Sequence, residues 1–498
     1  MTLAVVHTLD NKTPETDQDQ LEAIAQSDAW FAGWLKRAVP EQGRPVLDPS
    51  TQRLLACVPE QSVEDLAEIV KRAEAAQKEW RRMTAPDRSE ILRTWQNLVV
   101  EHSEALARLV TLEQGKVLSE AQSEVRSAMR YIEWFCEEAR RAYGRTIPAP
   151  RGHQQMMTIQ QPIGVVAAIT PWNFPAQLIA RKCAPALAAG CAVVAKPAPE
   201  TPLSAMALAD LAHRAGVPED VFAVVTGDPV TLGAALCEHE TIRMVSFTGS
   251  TAVGKSLMER CARTAKKTTM ELGGNAPFIV FADADLDKAV EHLMASKFRN
   301  SGQTCVCANR ILVQKSVVPE LEQRLLQAME KLRIGPGLHD GVEIGPLIHQ
   351  AAFDKVSGLV ERALEQGARL LLGGQGDQEL SLCYQPTLLS DVRPDMEIFE
   401  TEIFGPVVAL TAFETEDEAL ALANDTPYGL ASYVFTQDMG CAFRMMEDLE
   451  YGLVGINNGV LSSAAAPFGG VKESGLGREG GSEGLSAFME TKYVNFDY

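Results

Sequence analysis

Ser296–Arg310 (S-K-F-R-N-S-G-Q-T-C-V-C-A-N-R) sets Cys305 in a glycine-containing turn, after a helical run, Leu286–Arg299, and before an apolar run, Val306–Val313. A thiol so placed can be nucleophilic, because a turn between two rigid elements exposes a side chain while holding its backbone N–H in place. Most cysteines are inert core fillers, so the turn by itself leaves both readings open. Three further stretches carry groups that could complete a reaction centre. In Thr170–Pro175 (T-P-W-N-F-P) two prolines fix a loop behind the strand-like run Val165–Ile169. There Asn173 can donate its side-chain amide to a developing oxyanion, or simply bond a turn backbone. In Thr269–Asn275 (T-M-E-L-G-G-N) Glu271 is the one carboxylate of a short apolar strand. An apolar setting raises a carboxyl pKa toward neutrality, as a general base requires; a glutamate paired with Lys or Arg is the other reading. Lys196 ends the run Ala192–Lys196 beside a Pro-rich loop, a place for a ribose or phosphate contact or for plain solvation.

A different chemistry competes. Gly249, Gly254, Lys255 and Ser256, within Ser246–Ser256 (S-F-T-G-S-T-A-V-G-K-S), satisfy the phosphate-loop pattern G-x-x-x-x-G-K-[ST] between a strand and a helix. Ile279–Asp283 resembles the apolar strand and aspartate of a magnesium site, so a nucleotide triphosphatase is the rival reading. Against it, β-branched Val253 precedes Gly254 and the loop has only two glycines, a poor backbone nest for an anion. That reading also leaves Cys305, Glu271 and Asn173 idle. Cys305 and Cys307 form a lone C-x-C without a nearby His or second Cys pair, so no metal site is expected. Cys307 could trap an oxidised Cys305 in a strained disulfide.

The elements that must position these groups follow from periodicity and punctuation. Met1–Ser27 reads as a loose arm. Val63–Arg81 is a helix with Ser62 and Asp65 as capping pair; Pro86 breaks the chain; Ser89–Gln114 is a helix ending at Gly115, and Ser119–Tyr143 another. Then strands and Gly-stopped helices alternate: Val165–Ile169, Ala176–Ala189, Ala192–Lys196, Ser204–Ala215, Val221–Val225, Val230–Cys237, Met244–Phe247, Val253–Cys261. Short apolar strands alternating with helices mean parallel β/α units, and ligands at the C-terminal strand ends of a Rossmann-like sheet. A second α/β stretch, Leu272–Gly470, carries the cysteine. The tail Thr491–Tyr498 is strand-like and could pair with Met156–Gln161, within the chain or between subunits.

With 498 residues and 46% hydrophobic side chains, the chain needs two or three domains. The formal charge of −20 repels polyanions and argues against nucleic acid or an anionic membrane. Ten cysteines are too sparse for a disulfide scaffold. With no signal or transit segment and no run able to span a bilayer, a soluble cytoplasmic protein with reduced thiols is expected.

Together, P-W-N-F-P, K-P-A, F-T-G-S, E-L-G-G-N, G-Q-T-C and E-I-F-G-P (Glu402–Pro406) occur in the order found in aldehyde dehydrogenases, and the chain resembles that family from about Leu47 to its C-terminus. The resemblance implies an α/β fold with a Rossmann-like NAD(P)-binding domain (residues 1–143 and 162–271), a catalytic α/β domain (272–471) and a small β oligomerisation arm (144–161 and 472–498). It implies that Cys305 attacks an aldehyde, that Asn173 and the Cys305 N–H stabilise the oxyanion, and that Glu271 activates water to hydrolyse a thioester. It places Trp172, Lys196, Pro199, Gly249, Ser250, Leu272, Glu402 and Phe404 around NAD or NADP. Pro199 stands where NAD-preferring members often carry Glu, which leaves the preference undecided. Within the family, T-L-E-Q-G-K (Thr111–Lys116), P-A-L-A-A-G-C and P-F-G-G-V-K-E-S-G-L-G-R-E-G resemble the succinate-semialdehyde dehydrogenases. Arg181, Arg299 and Ser462 then match the positions that hold a distal carboxylate. Semialdehydes of other chain length would use similar anchors, and a homodimer or homotetramer is expected.

Overall fold

The computed structural model describes residues 17–40 and 42–498. Two open sheets dominate it. The first has six strands in the order Gly475–Leu476, Lys267–Glu271, Ile242–Thr248, Val165–Ile169, Ala192–Lys196, Phe222–Val224. Its five strands from Val165 to Glu271 run parallel, and Gly475–Leu476 adds an antiparallel edge. The second has seven: Arg369–Leu372, Thr387–Ser390, Val407–Phe413, Ala308–Gln314, Ala276–Val280, Ala431–Phe435, Leu453–Ile456. It too is parallel apart from the edge strand Arg369–Leu372.

Helices cover both faces of a parallel sheet, so its central strands read as unbroken apolar runs. Val165–Ile169, Ala192–Lys196 and Ala276–Val280 are buried at every position. The helices between them are punctuated locally. Pro175–Ala189 and Pro202–Ala215 both start on proline, whose missing N–H is not needed in a first turn. Both stop on a left-handed glycine, Gly190 (φ 97°) and Gly216 (φ 110°). Pro175–Ala189 is buried along its whole length, which fixes the loop in front of it.

Several expectations need correction. The single helix Ser89–Gln114 is two, Ala85–Glu101 and Ser103–Gln114, parted at His102, whose Nδ1 lies 2.7 Å from Asp28 Oδ2. Pro86 sits in the first turn of the former helix, so it starts an element instead of ending one. The supposed arm Met1–Ser27 contains the helix Asp17–Ser27, with Leu21 and Ile24 buried; residues 1–16 lie outside the described residues. The Ser62–Asp65 pair does form a reciprocal capping box on Val63–Trp80. The tail strand Met489–Asp497 pairs antiparallel with Gln154–Pro162 of the same chain, and Arg145–Ile147 completes a three-stranded sheet. Among the described residues no helix is long and apolar enough to cross a membrane.

Candidate active site

A cavity of about 330 Å³ lies where loops from the two sheets meet. The C-terminal ends of three parallel strands feed it: Trp172 and Asn173 follow Val165–Ile169, Gly249 and Ser250 follow Ile242–Thr248, and Leu272 follows Lys267–Glu271, whose last residue is Glu271. Cys305, Arg299, Glu402, Phe404, Ser462, Arg181 and Glu479 complete the wall. Of the site residues expected from sequence, Lys196 and Pro199 stand outside it.

The turn before Cys305 is held in an unusual shape. Asn300, Ser301 and Gly302 take φ of 52°, 54° and 77°, the left-handed region that side chains disfavour. A Cβ on Gly302 would stand 2.2 Å from the carbonyl oxygen of Gly405, so only glycine admits that approach. Glu120 accepts the Asn300 N–H with both oxygens at 3.0 Å, and Ser301 donates to the Gly345 carbonyl at 2.8 Å. Gln303 Nε2 donates to the Asn300 carbonyl while its Oε1 accepts the Ile348 N–H. Cys305, half-buried on the cavity wall, is thus placed by backbone. Burial and, after it, the charge of Glu402 push its thiol up to about 12, against the opposing pull of Arg181. At neutral pH it rests as a thiol and needs a base.

Glu271 can be that base. Its side chain is buried, and neither oxygen has a hydrogen-bond partner. Burial first, then the like charge of Glu479, holds its carboxyl well above the usual range, while Arg181 and Lys182 oppose. The paired-glutamate alternative is therefore absent. Asn173 bonds a turn backbone and keeps a second amide hydrogen. Its Nδ2 donates one hydrogen to the Gln303 carbonyl at 3.0 Å, inside the Cys305 turn, which leaves the second hydrogen for a substrate oxygen. Gly274 lets the two loops meet, since a Cβ there would lie 2.3 Å from the Cys305 carbonyl oxygen.

The cofactor side fits a dinucleotide. Lys196 is 3% exposed, bonds only the neighbouring Pro197 carbonyl at 3.3 Å, and burial lowers its ammonium to about 8. A buried amine so poorly served suits a ribose hydroxyl or phosphate. Thr248 Oγ1 is buried without a partner on the cavity wall. Glu402, raised to about 7 chiefly by burial, accepts the Gly274 N–H at 3.0 Å. Phe404, at φ 59°, meets Trp172 edge-on at 5.6 Å. Ser250 caps helix Thr251–Ala262. The phosphate-loop reading of Gly249–Ser256 fails on geometry. Lys255 pairs with Glu473 at 2.7 Å on the surface, away from the cavity, and Asp283 is spent on Thr436, Gln437 and Asp438. Cys307 is buried and does not line the cavity; its sulfur lies 3.6 Å from the Lys297 carbonyl and 3.5 Å from that of Ala308. Among the described residues no group of three or more His, Cys, Asp or Glu could hold a metal ion.

At the other end, Arg181 is 3% exposed, stacked over Phe468 (3.8 Å to the ring centre) and 3.0 Å from Glu479. Arg299 lies over the Phe174 ring at 4.8 Å. Ser462 Oγ is buried with no partner. Four residues around the cavity escape sequence reading. Glu479 receives Arg181 and Lys182 together, and Lys182 also donates to Ser246. Lys355 lines the cavity and donates to the Glu402 carbonyl at 2.6 Å. Arg310 and Asn309 brace the Glu402 loop through Asn275: Asn309 Nδ2 donates to Asn275 Oδ1, and Asn309 Oδ1 accepts the Ile403 N–H. A buried arginine beginning an apolar strand, in C-A-N-R, was the available signal for that last network. Gly475–Leu476 and Glu479, in the segment expected for oligomerisation, are built into the sheet edge and the cavity.

Known proteins share this sequence pattern and fold. The model of the aldehyde dehydrogenase family matches residues 34–494. The succinate-semialdehyde dehydrogenase [NADP(+)] GabD of Escherichia coli (strain K12) is 52% identical over 449 residues, 90% of this chain and 93% of that protein. A glutarate-semialdehyde dehydrogenase of Pseudomonas putida is 50% identical over 449 residues, again 90% of this chain and 93% of its own. The crystal structure of succinate-semialdehyde dehydrogenase from Burkholderia pseudomallei superposes with a TM-score of 0.90 at 49% identity, covering 91% of this chain and 94% of that one. This chain belongs to the aldehyde dehydrogenase family.

Proposed function

We propose that the protein oxidises an aldehyde carrying a distal carboxylate, succinate semialdehyde to succinate, with NAD or NADP. One observation carries the reading. In the cavity that holds Cys305 and Glu271, the Arg299 guanidinium has no carboxylate within ion-pair distance among the described residues, and the Ser462 hydroxyl is buried without a partner. A guanidinium and a hydroxyl left over on a cavity wall are groups that can bind a carboxylate together. The relatives named for succinate and glutarate semialdehyde support it, since both substrates end in a carboxylate, and glutarate semialdehyde is the second candidate.

Glu271 takes the Cys305 proton, and the thiolate adds to the aldehyde carbon, converting C=O to an oxyanion held by the free Asn173 hydrogen and the Cys305 N–H. NAD(P), which Lys196, Glu402, Gly249, Ser250, Leu272, Trp172 and Phe404 would hold, supplies the hydride acceptor that makes a thioester from this adduct. Glu271 releases the first proton to solvent and then takes one from water, whose oxygen attacks the thioester; the C–S bond breaks, the acid leaves as carboxylate with its proton lost to solvent, and Glu271 returns its proton to Cys305. Pro199 neither bonds a ribose hydroxyl nor repels a 2′-phosphate, in keeping with use of both cofactors. The exposed Ile159, Tyr493 and Phe496 of the three-stranded sheet favour a homodimer or homotetramer. Ten free cysteines favour the reducing cytoplasm.

Steady-state rates on ω-carboxy aldehydes of two to five carbons' spacing and on butanal, each with NAD and NADP, test the reading. The expected order puts succinate semialdehyde first. Equal kcat/KM for butanal would overturn it.

A further inference from the structure

Lys116 ends T-L-E-Q-G-K, between helices Ser103–Gln114 and Leu118–Glu138. Its side chain is wholly buried, as is that of its partner Glu124, 2.6 Å away. The same ammonium donates to the backbone carbonyl of Asn173 at 2.7 Å and stands 3.9 Å over the Phe174 ring. Glu124 accepts, with its other oxygen, the N–H groups of Ala176 (2.9 Å) and Gln177 (3.2 Å), in the first turn of helix Pro175–Ala189, which no side chain of Phe174 could cap. One buried ion pair therefore grips the loop Thr170–Phe174 from both sides.

The grip extends to the nucleophile. Asn300 Nδ2 donates to that same Asn173 carbonyl at 3.0 Å, and the Asn300 N–H is held by Glu120. Glu120 and Glu124 lie one turn apart on helix Leu118–Glu138. Asn173 is thus held at two points, its backbone carbonyl by Lys116 and Asn300 and its side-chain Nδ2 by the Gln303 carbonyl. Burying an ammonium is costly, and for stability alone a well-packed apolar pair in place of Lys116 and Glu124 would serve as well.

We propose that Lys116 is a positioning residue for the reaction: by fixing the Asn173 carbonyl it sets the direction in which the Asn173 amide meets the substrate oxygen. The inference rests on the reading of Asn173 as oxyanion donor given above. A displacement of about 1 Å in such a group costs on the order of 100-fold in rate.

The test is a double-mutant cycle on the full chain, with the aldehyde the wild type turns over best. Lys116→Met lowers kcat by about 10- to 100-fold, while KM and the NADP dissociation constant from tryptophan fluorescence stay within about threefold. In an Asn173→Ala background the same change costs less than about threefold, because the group it aims is gone. Lys116→Arg, which keeps a donor in place, recovers most of the loss. Equal losses in both backgrounds would reduce Lys116 to a structural residue and overturn the proposal. Should Lys116→Met fail to fold, Asn300→Gly removes the other donor to that carbonyl and tolerates φ 52°; its loss must also vanish with Asn173→Ala. A wild-type kcat in Asn173→Ala alone overturns the premise and the proposal together, an outcome distinct from additivity.

Discussion

Arg181 and Arg299 line the same cavity, yet their surroundings differ in kind. Arg181 is buried between Phe468 and Tyr131 with Glu479 3.0 Å away, so its charge is answered within the protein. Arg299 is half-buried and stacked on one ring; among the described residues it makes no contact ion pair, and Glu120 meets its charge only at longer range. Both still have donors for a ligand, since Nε and one Nη of Arg181 are buried on the cavity wall without a hydrogen-bond partner. Arg181 also belongs to a chain of charges, Lys182–Glu479–Arg181, that bears on Glu271. On the proposed function Arg299 serves the substrate alone, while Arg181 faces both the substrate and the base.

The largest expected effect tests whether the cavity is catalytic at all. Cys305→Ala abolishes aldehyde oxidation while cofactor binding, read by fluorescence, survives; turnover in that variant would end the comparison. Glu271→Gln gives a burst of NAD(P)H and then turnover slowed by about 100-fold or more, because hydrolysis loses its base. Stopped-flow absorbance at 340 nm without a burst and with a normal steady state would remove that role. Arg299→Ala lowers kcat/KM for succinate semialdehyde roughly 30- to 150-fold, about 2–3 kcal/mol, with little change for butanal. Equal losses on both aldehydes would make the two arginines equivalent.

Glu479→Gln sharpens the contrast through pH. Glu271 must be ionised to act, its pKa is raised, and activity is therefore lost as pH falls through that raised value. Removing the Glu479 charge, and freeing Arg181 and Lys182, lowers the Glu271 pKa, so the acid limb of kcat moves to lower pH. A limb unmoved, or moved upward, would detach Glu479 from the base. The smallest effect is expected at Lys255→Ala, within about twofold in kcat, since an exposed ion pair contributes about 1 kcal/mol or less.

Local chemistry was readable in the chain, and long-range chemistry was not. Val165–Ile169 and Ala192–Lys196 could be bounded because a strand covered on both faces is apolar throughout and its helix stops on glycine. The break at His102 was invisible, since helical periodicity runs through it and its partner Asp28 is far away in sequence. Cys305, Asn173 and Glu271 announced themselves by residue type and by their loops. Lys182, Lys116 and Glu124 look like ordinary charged helix positions; only partners such as Glu479 and Asn173, brought in by the fold, give them meaning. Lys255 shows the converse, a perfect local pattern whose ammonium the fold spends on Glu473.

Two main-chain approaches, Gly302 onto the Gly405 carbonyl and Gly274 onto the Cys305 carbonyl, leave no room for an interposed side chain. The spacing between sulfur and cofactor wall is consequently inherited from the polypeptide path and cannot be tuned by point mutation without rebuilding both loops. Efforts to retarget the enzyme toward longer, shorter or neutral aldehydes should therefore leave that half untouched. They belong at Arg299 and Ser462, where one side chain can be exchanged for another on an unaltered chassis.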